Sequence, residues 1–304
     1  MRRRYVLDGS RAFSVVYVYT NLLGNEAGRA IYDGDAMIAS CGKLVAAGRR
    51  FSFADVNLTT AVVDIDLVRM TRARSGSFRP EVGFEDDECV EVDFQYPDQE
   101  AKAMVEQIEE AAWEKQDVKE EEFTRAVALG LYDFLRKSHS RGFVVSMSGG
   151  ADSSAVASLC ALMVQLGIMD IGHEHFVAKL SLVNDLDQAQ SPEVIIRKLL
   201  TCVYQSTHNS SNTTRHAART VSETIGAEFL ELDVDQTVED YVGMVSSAIG
   251  RELTWERDDI ALQNIQARSR GPSVWLLANL RGALLLATSN RSEAAVGYAT
   301  MDGD

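Results

Sequence analysis

The segment Ser146-Met147-Ser148-Gly149-Gly150-Ala151-Asp152-Ser153-Ser154 concentrates the residue types that a phosphate site requires. Two adjacent glycines let backbone amides turn toward an anion with no Cβ in the way. A helix starting just after them would add orphan N–H groups and the positive end of its dipole. Ser148, Ser153 and Ser154 supply hydroxyl donors. Asp152 would repel a phosphate as a direct ligand, yet it suits a Mg²⁺ ion that bridges phosphates. No lysine follows the glycines, so the G-x-x-x-x-G-K-[ST] loop of the common nucleoside triphosphatases is absent. The same residues would also serve in a plain strand-to-helix turn, with Asp152 as an N-terminal helix charge.

The elements around this loop are those that such a site needs. Gly142 to Met147 is a short apolar run of the kind that forms a buried parallel strand, and Ser153 to Leu166 resumes helical spacing. Upstream, Glu120 to Lys137 places Phe123, Val127, Leu131 and Phe134 on one helical face, and Glu100 to Glu114 also has helical spacing. Downstream, Glu174 to Leu182 reads as a strand, Thr213 to Ile225 as a helix and Glu228 to Val234 as a strand. A helix to Ile249 follows, and after it a buried helix runs into a strand at Leu284 to Ala287. This alternation predicts an α/β fold, a parallel sheet with helices on both faces. Before it, Val15 to Thr20, Ala36 to Ser40, Lys43 to Ala47 and Thr59 to Ile65 read as strands, with Cys41-Gly42 at a two-residue hairpin turn. The polar stretch from Arg72 to Asp98 reads as a linker, with Pro80, Pro97 and the acidic run Glu85 to Glu88. The expected divisions are residues 1–75, a linker at 76–118 and a second domain at 119–304.

Composition narrows the class. Thirty Lys and Arg against forty-five Asp and Glu give a net charge of −15, which argues against nucleic acid or an anionic membrane as the main partner. Cys41, Cys89, Cys160 and Cys202 lie far apart with no C-x-x-C pair, so neither a zinc site nor a disulfide framework is expected, and a cytoplasmic location fits. The apolar stretch from Ser273 to Thr288 is interrupted by Asn279 and Arg281 and falls short of the roughly 20 residues of a membrane helix. No signal peptide is read at the start. His173 and His175 flank Glu174, but with no third ligand in view they read as solvent or loop histidines. His208 to Thr214 is rich in hydroxyl and amide groups; it would suit a cleft lining or a capped helix start equally.

The run Ser148 to Ser153 resembles the S-G-G-x-D-S loop of the ATP pyrophosphatase superfamily, whose members cleave ATP between its α and β phosphates. Two later stretches narrow the resemblance: Gln263-Asn264-Ile265-Gln266-Ala267-Arg268, and Thr288-Ser289-Asn290-Arg291-Ser292-Glu293 running on to Gly297-Tyr298-Ala299-Thr300-Met301-Asp302-Gly303-Asp304. Both are similar to the NAD synthetase family, in order and downstream of the glycine loop.

The resemblance implies an adenine nucleotide alpha hydrolase-like fold and the ATP-dependent amidation of deamido-NAD to NAD through an adenylated intermediate. It implies ATP contacts from Ser146, Met147, Ser148, Gly149, Gly150, Ala151, Asp152, Ser153 and Thr288, and Mg²⁺ held by Asp152 and Glu293. Arg268, Glu293 and Asp304 would meet the dinucleotide. No side-chain nucleophile is implied. Tyr17 to Glu26 and Tyr32 to Ala39 resemble the end of the nitrilase-like glutaminase domain that precedes the synthetase in glutamine-dependent members. The Glu-Lys-Cys set of that domain has no match here, and Cys41 reads as a plain thiol in a turn. Ammonia or glutamine as nitrogen source and a homo-oligomer are further implications. The alternatives are another adenylating enzyme, such as a GMP synthetase, and an inactive nucleotide-binding fragment.

Overall fold

The computed structural model describes residues 1–26, 30–76, 92–95, 107–108, 112–115, 118–290, 292 and 295. The chain divides into two compact units, one of residues 1–24 and 32–121, the other of residues 25–31 and 122–304.

In the first unit, helix α1 (Arg2–Ala12) is followed by β1 (Val16–Thr20), by β2 (Leu23–Glu26) and β3 (Ala30–Asp33), whose residues are divided between the two units, and by β4 (Ala36–Ser40) and β5 (Lys43–Ala47). Helix α2 (Ile65–Arg74) and the two-residue β6 (Gln107–Ile108) complete it. The sheet runs β1-β4-β5-β6, antiparallel except for the β5/β6 pair. Cys41 and Gly42 turn β4 into β5 with φ of 48° and 89°, the positive values that a two-residue hairpin needs. Val6 of α1 packs on Met37, Ala39 and Leu44. Asp33, almost fully buried, accepts from Arg2, Arg50 and Asn21. Burial alone would raise its pKa, but Arg2, Asn21 and the Asp35 N–H hold it far below the ordinary carboxylate range.

One expectation fails in this unit, and another is met by different structure where residues are described. Thr59 to Asp64 carries no regular structure, because Asp64 caps α2 by accepting the Leu67 N–H at 2.9 Å and so commits Ile65 to a helix. The helix expected over Glu100 to Glu114 lies largely outside the described residues. Where it is described, Gln107–Ile108 pairs with β5 and Ala112–Lys115 forms a 3₁₀ turn.

The second unit starts from α3 (Val118–Lys137), then β7 (Phe143–Ser146), α4 (Ala151–Ile171), α5 (His173–Lys179), α6 (Pro192–Leu199) and β8 (Leu200–Ser206). It continues through α7 (Asn212–Thr224), β9 (Glu228–Asp233), α8 (Asp235–Ile249), α9 (Trp255–Arg268), α10 (Gly271–Arg281) and β10 (Leu284–Leu286). All four strands are parallel, in the order β10-β7-β8-β9. Within this unit Asn25 binds α3: its N–H donates to Asp133 at 2.7 Å, and its carbonyl accepts from Lys137 at 2.6 Å.

The strand period of two decides what covers each face. On β8, Thr201, Val203 and Gln205 face α10: Val203 packs with Val274 and Ala278, while Thr201 bonds Arg281 and Gln205 bonds Ser273. Tyr204, of opposite parity, bonds Thr214 of α7 at 3.0 Å. Covered on both sides, β8 is buried along its whole length. It therefore shows no alternation, and Leu199 of α6 runs straight into it with no turn residue, so periodicity alone does not mark it. Helix α4 is 21 residues long and apolar enough by composition to cross a membrane; in this fold it packs on β7 and β8.

The segment Glu174 to Leu182 is a correction: a helix, α5, replaces the expected strand through Lys179. Gly172, at φ 81°, ends α4 and reverses the chain, and Phe176 buries its ring against Tyr132 with centroids 5.6 Å apart. Phe176 and Leu180 are both buried, at the i, i+4 spacing of one helical face.

Candidate functional site

Strand β7 delivers the glycine loop to the carboxyl edge of the parallel sheet, the edge where open α/β sheets bind ligands. Gly149 adopts φ 78°, and a Cβ there would collide with the backbone carbonyl of Thr214. Only glycine lets the loop lie this close to the start of α7. Ser153, 1% exposed, uses its hydroxyl inside the loop: Oγ accepts from Ser148 N–H at 3.3 Å, lies 3.1 Å from Ser148 Oγ and donates to Gly150 O at 3.3 Å. Ser148 Oγ accepts from Gly150 N–H at 3.2 Å, and Ser154 Oγ donates to Gly150 O at 2.7 Å. The hydroxyls thus set the loop's shape.

Helix α4 starts at this loop with Gly150 as its N-cap and no side-chain cap, so its first amides keep their capacity for an anion. A second helix N-terminus converges on the same place. Ser211 caps α7 by accepting from Thr214 N–H at 3.1 Å, and both residues line the cleft beside the loop. Two positive helix ends supply favourable potential in a chain whose net charge is −15.

The cleft measures about 600 Å³, within the roughly 300–1,000 Å³ usual for small-molecule sites. Four of the residues assigned to ATP from sequence line it: Ser146, Met147, Ser148 and Thr288. Tyr204, Gln205, Thr207, Asn209 and Ser210 form another wall, and Gln266, Ala267 and Arg270 a third. Gly149, Gly150, Ala151, Asp152 and Ser153 lie at the loop and the head of α4 without lining the cavity. Arg268 is exposed and outside the lining, whereas Arg270, two residues on, is in it. Arg270 has a buried Nε with no hydrogen-bond partner among the described residues. Motif matching does not single out this cation; its place just after α9 is the only signal that the sequence offers.

Asp152 is exposed at the head of α4, and its Oδ2 accepts from Asn290 Nδ2 at 3.1 Å. This bond joins the glycine loop to the segment after β10. Glu293 and Asp304 fall outside the described residues. Among the described residues no group of three His, Cys, Asp or Glu side chains could hold a metal, and His173 and His175 sit on α5. Cys160 and Cys202 are buried free thiols; burial pushes both pKa values up, that of Cys202 to about 11 and that of Cys160 further still.

The NAD synthase family matches residues 123–304. The chain is 32% identical to the glutamine-dependent NAD(+) synthetase of Oryza sativa subsp. indica, over 94% of this chain and 41% of that protein. It is 32% identical to the human protein of the same description, over 94% of this chain and 43% of that one. Among solved structures, the glutamine-dependent NAD(+) synthetase of Cytophaga hutchinsonii superposes with a TM-score of 0.76 at 40% identity, covering 99% of this chain and 45% of the other. The chain spans less than half the length of these relatives.

Proposed function

Because the chain belongs to the NAD synthase family, we propose that its cleft binds ATP and deamido-NAD and supports the conversion of deamido-NAD to NAD, with release of AMP and pyrophosphate. One observation carries the reading: the start of the glycine loop at Ser146 to Ser148, the start of α7 at Ser211 and Thr214, and Arg270 line one cleft at the sheet's carboxyl edge, and the uncapped head of α4 follows directly on that loop. That is an anion site built mainly from backbone dipoles, as a polyphosphate needs.

The chemistry has two displacements. The pyridine carboxylate oxygen attacks the α-phosphorus of ATP, forming the acyl-adenylate as pyrophosphate leaves with the electron pair of the broken P–O bond. Ammonia then attacks the acyl carbon, AMP departs, and the nitrogen sheds one proton. The chain's part is positioning and charge stabilisation. Loop amides and the α4 head hold the phosphates, Thr288 and Ser146 bound the same cleft, and Arg268, Glu293 and Asp304 are assigned to the dinucleotide. Asp152 fits a Mg²⁺ ion, since one carboxylate oxygen is held by Asn290 and the other has no partner among the described residues. With Glu293 it would make the one or two carboxylates that Mg²⁺ takes beside phosphate oxygens. The ion would supply neutralisation of the phosphate charge. The antiparallel sheet of the first unit is read as the end of a nitrilase-like domain, with glutamine as the parent's ammonia source, and a homo-oligomer as its assembly.

Calorimetric titration with Mg·ATP, followed by an assay of NAD and AMP formed from deamido-NAD and ammonium, tests the reading. Binding is expected in the micromolar range, and Asp152→Ala is expected to weaken it roughly 10-fold or more. ATP cleavage to ADP, or turnover indifferent to deamido-NAD, would overturn the proposal.

A further inference from the structure

Gln205 is 4% exposed and lies where β8 ends, yet it ends in an amide. Every hydrogen of that amide is engaged. Ser146 Oγ donates to Oε1 at 2.8 Å, while Nε2 donates to Ser273 Oγ at 2.8 Å and to the carbonyl of Arg270. Ser273 Oγ donates to the same carbonyl at 3.0 Å. The amide cannot be reversed, because Oε1 would then oppose the Arg270 carbonyl, acceptor against acceptor.

Three segments meet at this one side chain. Ser146 closes β7 and opens into the glycine loop; Arg270 lies in the turn between α9 and α10; Ser273 is in the first turn of α10. Ser146 and Arg270 both line the cleft, on different walls. Arg270 is the N-cap residue of α10, so its carbonyl sits at the junction between α9 and α10, and Gln205 ties that junction to the end of β8. Although Gln205 borders the cleft, both of its amide donors are spent inside this network, so its role differs from donating to a ligand.

We propose that Gln205 is a positioning residue: it locks the Arg270 turn to the strand that feeds the glycine loop and so fixes the distance between the cleft's cation and its loop amides. The consequence for nucleotide affinity rests on the reading of the cleft as the ATP site. Strand β8 is an inner strand of the sheet, paired with β7 and β9 and buried along its whole length, so the lock is anchored on a fully packed element.

The test uses Gln205→Met, which keeps the length and bulk of the side chain and removes its three bonds, and Ser273→Ala, which removes one of those three together with the Ser273 bond to the Arg270 carbonyl. Mg·ATP affinity is measured by calorimetry, the melting temperature by scanning calorimetry, and amide hydrogen exchange across residues 266–273 by mass spectrometry. Gln205→Met is expected to weaken Mg·ATP about 10-fold, a change of about 1.4 kcal/mol, with faster exchange confined to residues 266–273 and a melting temperature close to the parent's. Ser273→Ala is expected to give a smaller change in the same direction. Unchanged affinity in Gln205→Met overturns the proposal, as does an exchange increase spread over the whole second unit. Should the parent chain fail to bind Mg·ATP, the ATP reading falls by itself, and the exchange data still decide the lock: protection over 266–273 unaltered by the substitution overturns it. Should Gln205→Met fail to fold, Ser273→Ala decides by the same two readings.

Discussion

At the scale of the residue, Gly149 is the position with least freedom. Its φ of 78° and the Thr214 carbonyl just beyond its missing Cβ impose two separate penalties on any side chain. Gly149→Ala is expected to destabilise the second unit by about 2 to 4 kcal/mol, the sum of a left-handed backbone cost and an overpacking cost. Urea denaturation checks it. A loss below about 1 kcal/mol would mean that the loop relaxes away from α7. A Cβ on Gly150 would meet only the Ser148 hydroxyl, at 3.2 Å, so that position carries no such double constraint. The two glycines look alike in sequence, and only the packing of α7 tells them apart.

At the scale of the element, α10 is held at both ends by polar groups and in the middle by apolar ones. Val274 and Ala278 pack on Val144 and Val203, Ser273 is tied to Gln205, and Arg281 binds Glu228 and Thr201 at the far end. Thr201 donates to Glu228 at 3.0 Å. The Arg281 hydrogen bond leads in holding the Glu228 carboxyl below its ordinary 4.5, against the opposing effect of burial. A carboxyl whose folded pKa is depressed adds stability above its unfolded pKa and loses it as pH falls through the folded value. Acidification from about pH 5 downward is thus expected to destabilise the parent more than Glu228→Gln. At pH 7 that variant should cost about 1 kcal/mol, since both partners are partly exposed. Denaturation midpoints of the two proteins across about pH 3 to 7 check this; parallel curves would remove the ion pair from the account.

At the scale of the whole molecule, the chain is two compact units, each with a four-stranded sheet and a core of its own. The proposed ligand site lies wholly in the second. Scanning calorimetry is expected to resolve two transitions, with Mg·ATP raising the one that belongs to the second unit. At a ligand concentration about 100 times the dissociation constant the stabilisation should be about 2.7 kcal/mol. A shift confined to the other transition would move the nucleotide site out of the cleft. The acidic chain also explains the site's construction: helix ends provide positive potential at one point without a basic surface.

The linear sequence by itself determined the glycine loop, the α/β alternation around it and the Cys41-Gly42 hairpin turn, because each rests on local backbone preference or on a period that short segments display. The family came from that loop read together with the Gln263 to Arg268 and Thr288 to Asp304 stretches. Tertiary structure alone decided the rest. The central strand β8 is buried on both faces and so lacks any period to read, and α5 takes helical form because Phe176 and Leu180 share a buried face. Arg270, and not Arg268, lines the cleft, since the turn after α9 sets which side chain reaches it. The bonds from Gln205 to residues 59, 65 and 68 positions away depend on how sheet and helices pack. No local pattern encodes such contacts, because the partners meet only when the sheet is formed.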